Sequence, residues 1–370
     1  MTLAPPSAHV MSIRHRRLRS RLQKQLAAVE NVLAESVKSE QPLLADAAQH
    51  LLAAGGKRFR PVLVLLTARF GDPDTPGVIR GAAALELTHL ASLYHDDVMD
   101  AATTRRGRPS VNAVWGDRTA IRTGDFLLAR AVRLTFDLGD DAARARSGML
   151  VRLAEGQALE LQGPGPDDDP IRHHLDVISG KTGSLIAAAA QIGAMLAGAD
   201  ASTVEQLAEF GEHMGVVFQL VDDLIDIDGG VPAWGKEVGT DLRQGVSTLP
   251  VLILRSLPPD PGDADDVRLR TLLDGNLEDG GQRTEALRLL RRHRAFALAR
   301  AEVAQRTERA LRTLRNLPRC DARDALEDLC RAITERAARQ GASPDSGPHP
   351  TSATSADRSP YWNSDSPKRA

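Results

Sequence analysis

The chain has 370 residues, 42% hydrophobic and 26% charged, which is enough apolar material for a large buried core in one or two domains. A formal charge of −2 gives no general attraction to nucleic acid or an anionic membrane, and 3% aromatic residues speaks against base-stacking platforms. The cysteines, Cys320 and Cys330, lack metal-site spacing, so a reduced cytoplasmic protein is expected.

Residues 1–18 read as a flexible N-terminal tail. Arg14, Arg16, Arg17 and Arg19 have no apolar stretch behind them, which argues against a signal peptide. From 19 to 340 Leu and Ala recur at three- and four-residue spacing, and alternating β-branched strands are absent. The expectation is an all-α fold, a single-domain bundle of ten or more helices around a central active-site cavity. Breaks fall at Gly55-Gly56, Gly163–Pro170, Gly229–Pro232 and Pro258–Gly262, and the Ser/Pro/Asp-rich residues 341–370 are expected to be a disordered tail. The Ala-rich run from Ser184 to Ala199 is interrupted by Gln191 and suits close helix packing rather than a membrane span, so no stable membrane insertion is expected.

The first chemical signal is Gly55-Gly56-Lys57-Arg58-Phe59-Arg60-Pro61, directly before an apolar helix. Glycine lets backbone approach a ligand, Pro61 can open the helix, and Lys57 and Arg60 then lie at an N-terminus already suited to anions. A solvated basic loop is the ordinary alternative. Next comes Glu86-Leu-Thr-His89-Leu-Ala-Ser-Leu-Tyr-His95-Asp96-Asp97-Val-Met-Asp100, in which Asp96 and Asp100 share a helix face with Asp97 on its flank. Carboxylates ending an apolar helix repel one another unless a cation sits among them, and an all-oxygen set suits Mg²⁺ bridged to phosphates. Beyond them, Arg105 and Arg106 can point toward different phosphate groups.

Asp125, in Thr123-Gly-Asp125, reads as a helix start, whereas Glu155-Gly156-Gln157 suggests no chemistry by spacing alone. Lys181 and Thr182 either serve a diphosphate and a developing positive charge or cap a helix. The sequence around them is not a GxxxxGK[ST] phosphate loop. Phe218-Gln219-Leu-Val-Asp222-Asp223-Leu-Ile-Asp226 then repeats the acidic spacing 126 residues (222 − 96) after the first motif. A single motif could be a solvated turn; two inside apolar helices are better explained as facing walls of a metal–diphosphate site. Lys236 follows on a Gly-rich loop that could close over a charged substrate.

In order, the chain carries GGKRFRP, ELTHLASLYHDDVMD, RRGRPS, TGDFLLARA, EGQ, GKTGSL, FQLVDDLID and GKEVGTDLRQG. From about Leu22 to Arg336 it resembles the all-trans polyprenyl diphosphate synthases of the isoprenyl diphosphate synthase family, medium- to long-chain type. The resemblance implies condensation of isopentenyl diphosphate with an allylic prenyl diphosphate, with about three Mg²⁺ ions per site. Asp96 and Asp100 would bind metal, supported by Asp97. Asp222 would bind a further ion, with Asp223 and Asp226 placing metal-bound waters. Arg105, Lys181 and Lys236 would neutralise the leaving diphosphate, while Thr182 and Gln219 face the allylic cation. Isopentenyl diphosphate would lie against Gly56, Lys57, Arg60, His89 and Arg106, although His89 could instead be a buried structural histidine. A homodimer is also implied.

In this class the product grows along the helix of the first motif. Thr88, Ala91 and Ser92 are small, and the helix from Gly81 to Ser92 spans roughly 16 Å, so products of about thirty to fifty carbons, as in quinone side chains, are expected. A geranylgeranyl diphosphate synthase is the nearer alternative. A class I terpene cyclase typically lacks the second diphosphate pocket, and a non-catalytic subunit of a heteromeric synthase should have lost acidic residues.

Overall fold

The computed structural model describes residues 10, 13–229 and 238–339. Leu18, Leu22, Leu26, Val29 and Leu33 recur at helical spacing and are the buried stripe of α1 (Arg16–Ser36). The expected tail boundary at residue 18 therefore falls inside a helix. Val10 and Ile13 are already buried, and Arg14 Nε donates to Asp328 on the last helix at 3.0 Å, so packing begins ahead of the basic run. The expected tail at 341–370 lies outside the described residues.

After α2 (Pro42–Ala53), α3 (Phe59–Thr67) buries every residue except Arg60. An element apolar on all sides sits at the centre of a domain. Pro76 opens α4 (Pro76–Met99), whose residues Gly81 to Thr88 are continuously buried. The middle of this helix is enclosed, and it opens again at its C-terminal turn, where the acidic motif lies.

A hairpin follows, β1 (Thr104–Arg105) paired antiparallel with β2 (Arg108–Pro109), and it is the whole sheet content of the described residues. After α5 (Val111–Trp115) comes α6 (Asp117–Phe136), which packs along α4, then α7 (Asp140–Gln162). Asp125 does not start a helix as expected. It lies inside α6, where its carboxylate oxygens sit 3.5 Å from His95 Nε2 and 3.7 Å from Arg122.

The Gly163–Pro170 break leads to α8 (Pro170–Ile178), capped by the Asp169 side chain, which accepts from the Ile171 N–H at 2.9 Å. A π-helical turn, Ser179–Gly183, runs directly into the Ala-rich α9 (Ser184–Leu196). Among the described residues no helix is long and apolar enough to cross a membrane; α9 spends its apolar surface on α3, α4 and α10 (Ala201–Asp228). Leu207, Phe210 and Leu220 of α10 are essentially inaccessible, so truncation of any to Ala costs about 2–5 kcal/mol. The remaining helices are α11 (Thr240–Arg243), α12 (Leu249–Ser256), α13 (Ala264–Leu273), α14 (Gly280–Arg292), α15 (Arg294–Arg315) and α16 (Asp321–Arg339). Of these, α14, α15 and α16 cover one flank of α10. The all-α expectation holds, because nearly every apolar pattern has period 3.6 and finds a helical partner.

Candidate active site

The first acidic motif occupies the last turn of α4. Asp96 is half-buried, Asp97 is 3% exposed and Asp100 is the exposed C-cap. The helix end is tied down by backbone bonds from Asp100 N–H to Asp96 O (2.8 Å) and from Ala102 N–H to Asp97 O (2.8 Å). Asn112 Nδ2 adds bonds to Asp97 O (3.2 Å) and Ala102 O (3.0 Å). The Asp97 carboxylate accepts from Arg105 through Nε (2.6 Å) and Nη2 (2.5 Å). Burial raises the pKa of both Asp96 and Asp97; Lys181 opposes the rise at Asp96, and Arg105 opposes it at Asp97.

How adjacent arginines reach different partners follows from the hairpin. Arg106 and Gly107 both have positive φ, +54° and +72°, the mirror-image turn that joins short antiparallel strands. Arg105 thus returns to Asp97. Arg106 Nη1 reaches the basic turn, donating to Gly55 O and, at 3.4 Å, to Leu51 O.

At that turn a Cβ on Gly56 would lie 2.9 Å from Arg58 Nη1 and 3.1 Å from Arg106 Cζ, so any larger residue would have to displace the two guanidinium groups. Lys57 Nζ lies 5.6 Å from the Phe218 ring centroid, and Phe59 packs on the same ring at 5.2 Å. Arg60 Nε is buried without a hydrogen-bond partner among the described residues, and burial lowers the Arg60 pKa to about 10. Burial, then Arg60, Arg106, Arg105 and Arg58, hold His89 well below its ordinary pKa. His89 is therefore neutral at pH 7, buried beside a cluster of cations. Arg58, which the motif alone did not single out, is 5% exposed and bonded to Glu30 and Glu86.

The second motif ends α10 in different surroundings. Asp222 is exposed and Asp223 is 5% exposed. Asp223 Oδ1 accepts from Gln219 Nε2 at 3.1 Å, and Gln219 Oε1 accepts from Thr182 Oγ1 at 3.2 Å. Asp223 Oδ2 and His174 Nε2, 3.5 Å apart, are buried with no hydrogen-bond partner among the described residues. Asp226 accepts through its carboxylate from the backbone N–H groups of Thr240 (3.2 Å) and Asp241 (3.0 Å), at the start of α11. Its side chain thereby organises the returning chain, a role its spacing did not suggest.

The π turn links the two acidic ends. Lys181 acts on Asp96 and pairs with Glu160, while its neighbour Thr182 reaches the second motif through Gln219. The unassigned Glu155-Gly156-Gln157 explains its position, because a Cβ on Gly156 would lie 2.7 Å from Lys181 N and 2.8 Å from Gly180 C. Arg152 adds a two-pronged bond to Glu212 (2.7 and 2.8 Å), which also accepts from Ser179 Oγ at 2.5 Å. Backbone contact between two glycines cannot be read from spacing, since it depends on which helices cross.

Of the small residues before Asp96, Thr88 and Ala91 are fully buried and Ser92 is half-buried, its hydroxyl bonded to His89 O at 2.9 Å. Lys236 lies outside the described residues. No three His, Cys, Asp or Glu side chains among the described residues converge closely enough to hold an ion by themselves. Carboxylates divided between two helix ends, with an orphaned oxygen on Asp223, fit divalent ions completed by a bridging anion.

Residues 41–287 match the polyprenyl synthetase family. The chain is 43% identical over 306 residues to nonaprenyl diphosphate synthase of Mycobacterium tuberculosis, covering 82% of this chain and 90% of that protein. It is 40% identical to heptaprenyl diphosphate synthase component 2 of Geobacillus stearothermophilus, over 85% of this chain and 97% of that one. The crystal structure of geranylgeranyl pyrophosphate synthase from Corynebacterium glutamicum, complexed with calcium and isoprenyl diphosphate, superposes with a TM-score of 0.77 at 39% identity, covering 88% of this chain and 98% of that one.

Proposed function

This chain belongs to the polyprenyl synthetase family and is a prenyltransferase, an all-trans polyprenyl diphosphate synthase; from that premise we propose which of its groups bind and which react. The observation that carries the reading is the π turn, where the Lys181 charge, paired with Glu160, favours ionised Asp96 while Thr182 hydrogen-bonds to Gln219 beside Asp223. A reaction centre between them meets metal ligands from both sides.

Asp96, Asp100 and Asp222 are the groups accessible to divalent ions, with Asp97, Asp223 and Asp226 supporting them. We take the ions as Mg²⁺, about three per site. When bound they supply charge neutralisation for the departing diphosphate. The chain's own residues do the rest. Lys181, Arg105 and, from the Gly-rich loop, Lys236 meet the allylic diphosphate. Its C–O bond breaks and the electron pair leaves with the diphosphate. The oxygens of Thr182 and Gln219 face the allylic cation, and preorganised dipoles of this kind cost no reorganisation as charge develops. Isopentenyl diphosphate, held at Gly56, Lys57, Arg60, His89 and Arg106, adds its double-bond electrons to the cation. A proton then leaves the adduct for the released diphosphate, which regenerates a double bond.

A product of about thirty to fifty carbons is the proposed outcome, because small side chains at Thr88, Ala91 and Ser92 spare roughly 16 Å of helix from bulky obstruction. Since Thr88 and Ala91 are closed over in this structure, the growing chain must part the packing beyond Ser92. We further propose a homodimer in a reducing cytoplasm. Ile121, Val132 and Phe136 line one face of α6 at 41%, 48% and 80% exposure, an apolar stripe suited to a second copy. A heteromeric assembly is the competing arrangement, favoured by the similarity to a relative named as component 2.

The test is incubation of purified protein with Mg²⁺, isopentenyl diphosphate and farnesyl or geranylgeranyl diphosphate, followed by chromatography of the dephosphorylated prenols. Elongation abolished by EDTA and restored by Mg²⁺ supports the proposal; a stop at twenty carbons would remove the long-chain part. Absence of elongation by the protein alone, with recovery on adding a partner chain, would favour the heteromer.

A further inference from the structure

Arg58 sits among the groups that receive the second diphosphate, yet its geometry is unlike theirs. It is 5% exposed, and its Nε, Nη1 and Nη2 are all engaged: with Glu30 at 2.5 and 3.2 Å, and with Glu86 at 3.0 Å. We propose that Arg58, Glu30 and Glu86 form a positioning triad that shapes the isopentenyl diphosphate pocket, with Arg58 itself making no contact with substrate. This inference rests on the function proposed above.

The backbone supplies the first argument. Arg58 adopts φ +48°, a left-handed conformation that is strained for a residue bearing a Cβ. The strain is held where the guanidinium folds back beneath its own turn, close enough that a Cβ on Gly56 would meet Nη1 at 2.9 Å. This kinked residue is the N-cap of α3, and it separates Lys57 on the loop from Arg60 in the first helical turn. Releasing its side chain removes what holds the kink, so the two cationic residues lose their fixed relation.

Charge supplies the second. Glu86 is 2% exposed and favours the protonated form of three guanidinium groups, Arg58, Arg60 and Arg106. Arg106 in turn feels repulsion from Arg58, and Arg60 from Arg106. In the ligand-free protein Glu86 therefore counters the mutual repulsion that a bound diphosphate would otherwise relieve. It stands one turn before His89 on α4, while Glu30 belongs to α1, so the triad joins two helices to the turn they flank. A buried ion pair that served packing alone would have no reason to favour one substrate's pocket over the other's.

The test uses full-length protein and two ligands measured separately by isothermal titration calorimetry, isopentenyl diphosphate alone and geranylgeranyl diphosphate with Mg²⁺, alongside KM for each. Arg58→Met should weaken isopentenyl diphosphate binding and raise its KM by about tenfold or more while leaving the allylic values within about twofold. Arg58→Lys should not restore binding, because a single ammonium cannot bridge both carboxylates with a planar fork. Glu30→Gln, which retains the Arg58–Glu86 bond, should weaken isopentenyl diphosphate binding about threefold, and it carries the test if Arg58→Met fails to fold. Equal loss for both ligands, or no loss in a folded variant, overturns the triad. A wild-type protein that binds neither ligand overturns the proposed function instead.

Discussion

The acidic ends of α4 and α10 share one spacing but not one environment. At the end of α4, Asp97 is matched by the Arg105 guanidinium, and the helix terminus is stapled by Asn112 and by backbone bonds to Asp96 and Asp97. At the end of α10, Asp223 has only the Gln219 amide on one oxygen and an unsatisfied His174 beside the other. Asp226, the counterpart of the exposed Asp100, is engaged by the start of α11. At the first end Asp97 is therefore matched by the hairpin that directly follows it, whereas Asp223 and Asp226 at the second meet residues of α8, the π turn and the α11 region. A repeated motif specifies where carboxylates are presented; the elements packed around each copy decide what those carboxylates do.

The largest effect expected from this contrast is on the reaction. Asp96→Asn, which removes an accessible carboxylate facing Lys181, should lower kcat about a thousandfold without loss of folding, whereas Asp226→Asn should cost markedly less. Equal losses in single-turnover assays would mean that the two ends are functionally equivalent.

Stability should differ next. Arg105→Met leaves a carboxylate that is 3% exposed without its partner and should cost about 2–3 kcal/mol in denaturant melts, a value discounted because Arg105 is itself partly solvated. Gln219→Leu removes an amide donor from the buried Asp223 carboxylate and an acceptor from Thr182, and should cost less, about 1.5–2 kcal/mol. Reversal of that order would break the distinction between charge-balanced and amide-supported ends.

The basic surroundings of the first end also predict a pH signature. His89 has a depressed pKa in the folded protein, so the folded state binds fewer protons there than the unfolded chain does. Its contribution to stability is present above the unfolded value of about 6.5 and is lost as pH falls below it, by at most about 1.4 kcal/mol per pH unit. His89→Gln should flatten the fall in melting temperature between pH 7 and pH 5, measured without ligands. An unchanged slope would place the titrating group elsewhere.

The smallest expected effect concerns Asp226 as a cap. Asp226→Ala should cost about 1 kcal/mol and speed hydrogen exchange at the Thr240 and Asp241 amides, leaving amides near Asp100 unaffected.

Much of the architecture was legible because it depends on local periodicity. Leu and Ala at helical spacing point to the fold class, and the apolar runs ending in carboxylates do end α4 and α10. Gly56, Lys57, Arg60, His89 and Arg106 follow as a set only from the family resemblance; in the structure Arg106 lies against Gly56, and Arg60 and Arg106 act on His89. The residues up to 18 read as a tail because a basic composition masks the isolated apolar Val10, Ile13 and Leu18, which acquire meaning only when α1 has a core to cover. Asp125 was misread because a Gly-Asp pair signals a helix start only where the preceding turn is not already helical.

Residue order alone thus determined which groups exist for the chemistry and which helical faces carry them, since periodicity and charge are properties of neighbours along the chain. Tertiary structure alone decided the partners. Arg58 meets Glu30 and Glu86, Gly156 admits Gly180, and Asp223 is left with one oxygen unpaired, each through helices far apart in sequence. Burial then sets the weight of each contact, because a charge removed from water depends on whichever counter-charge the fold happens to bring beside it.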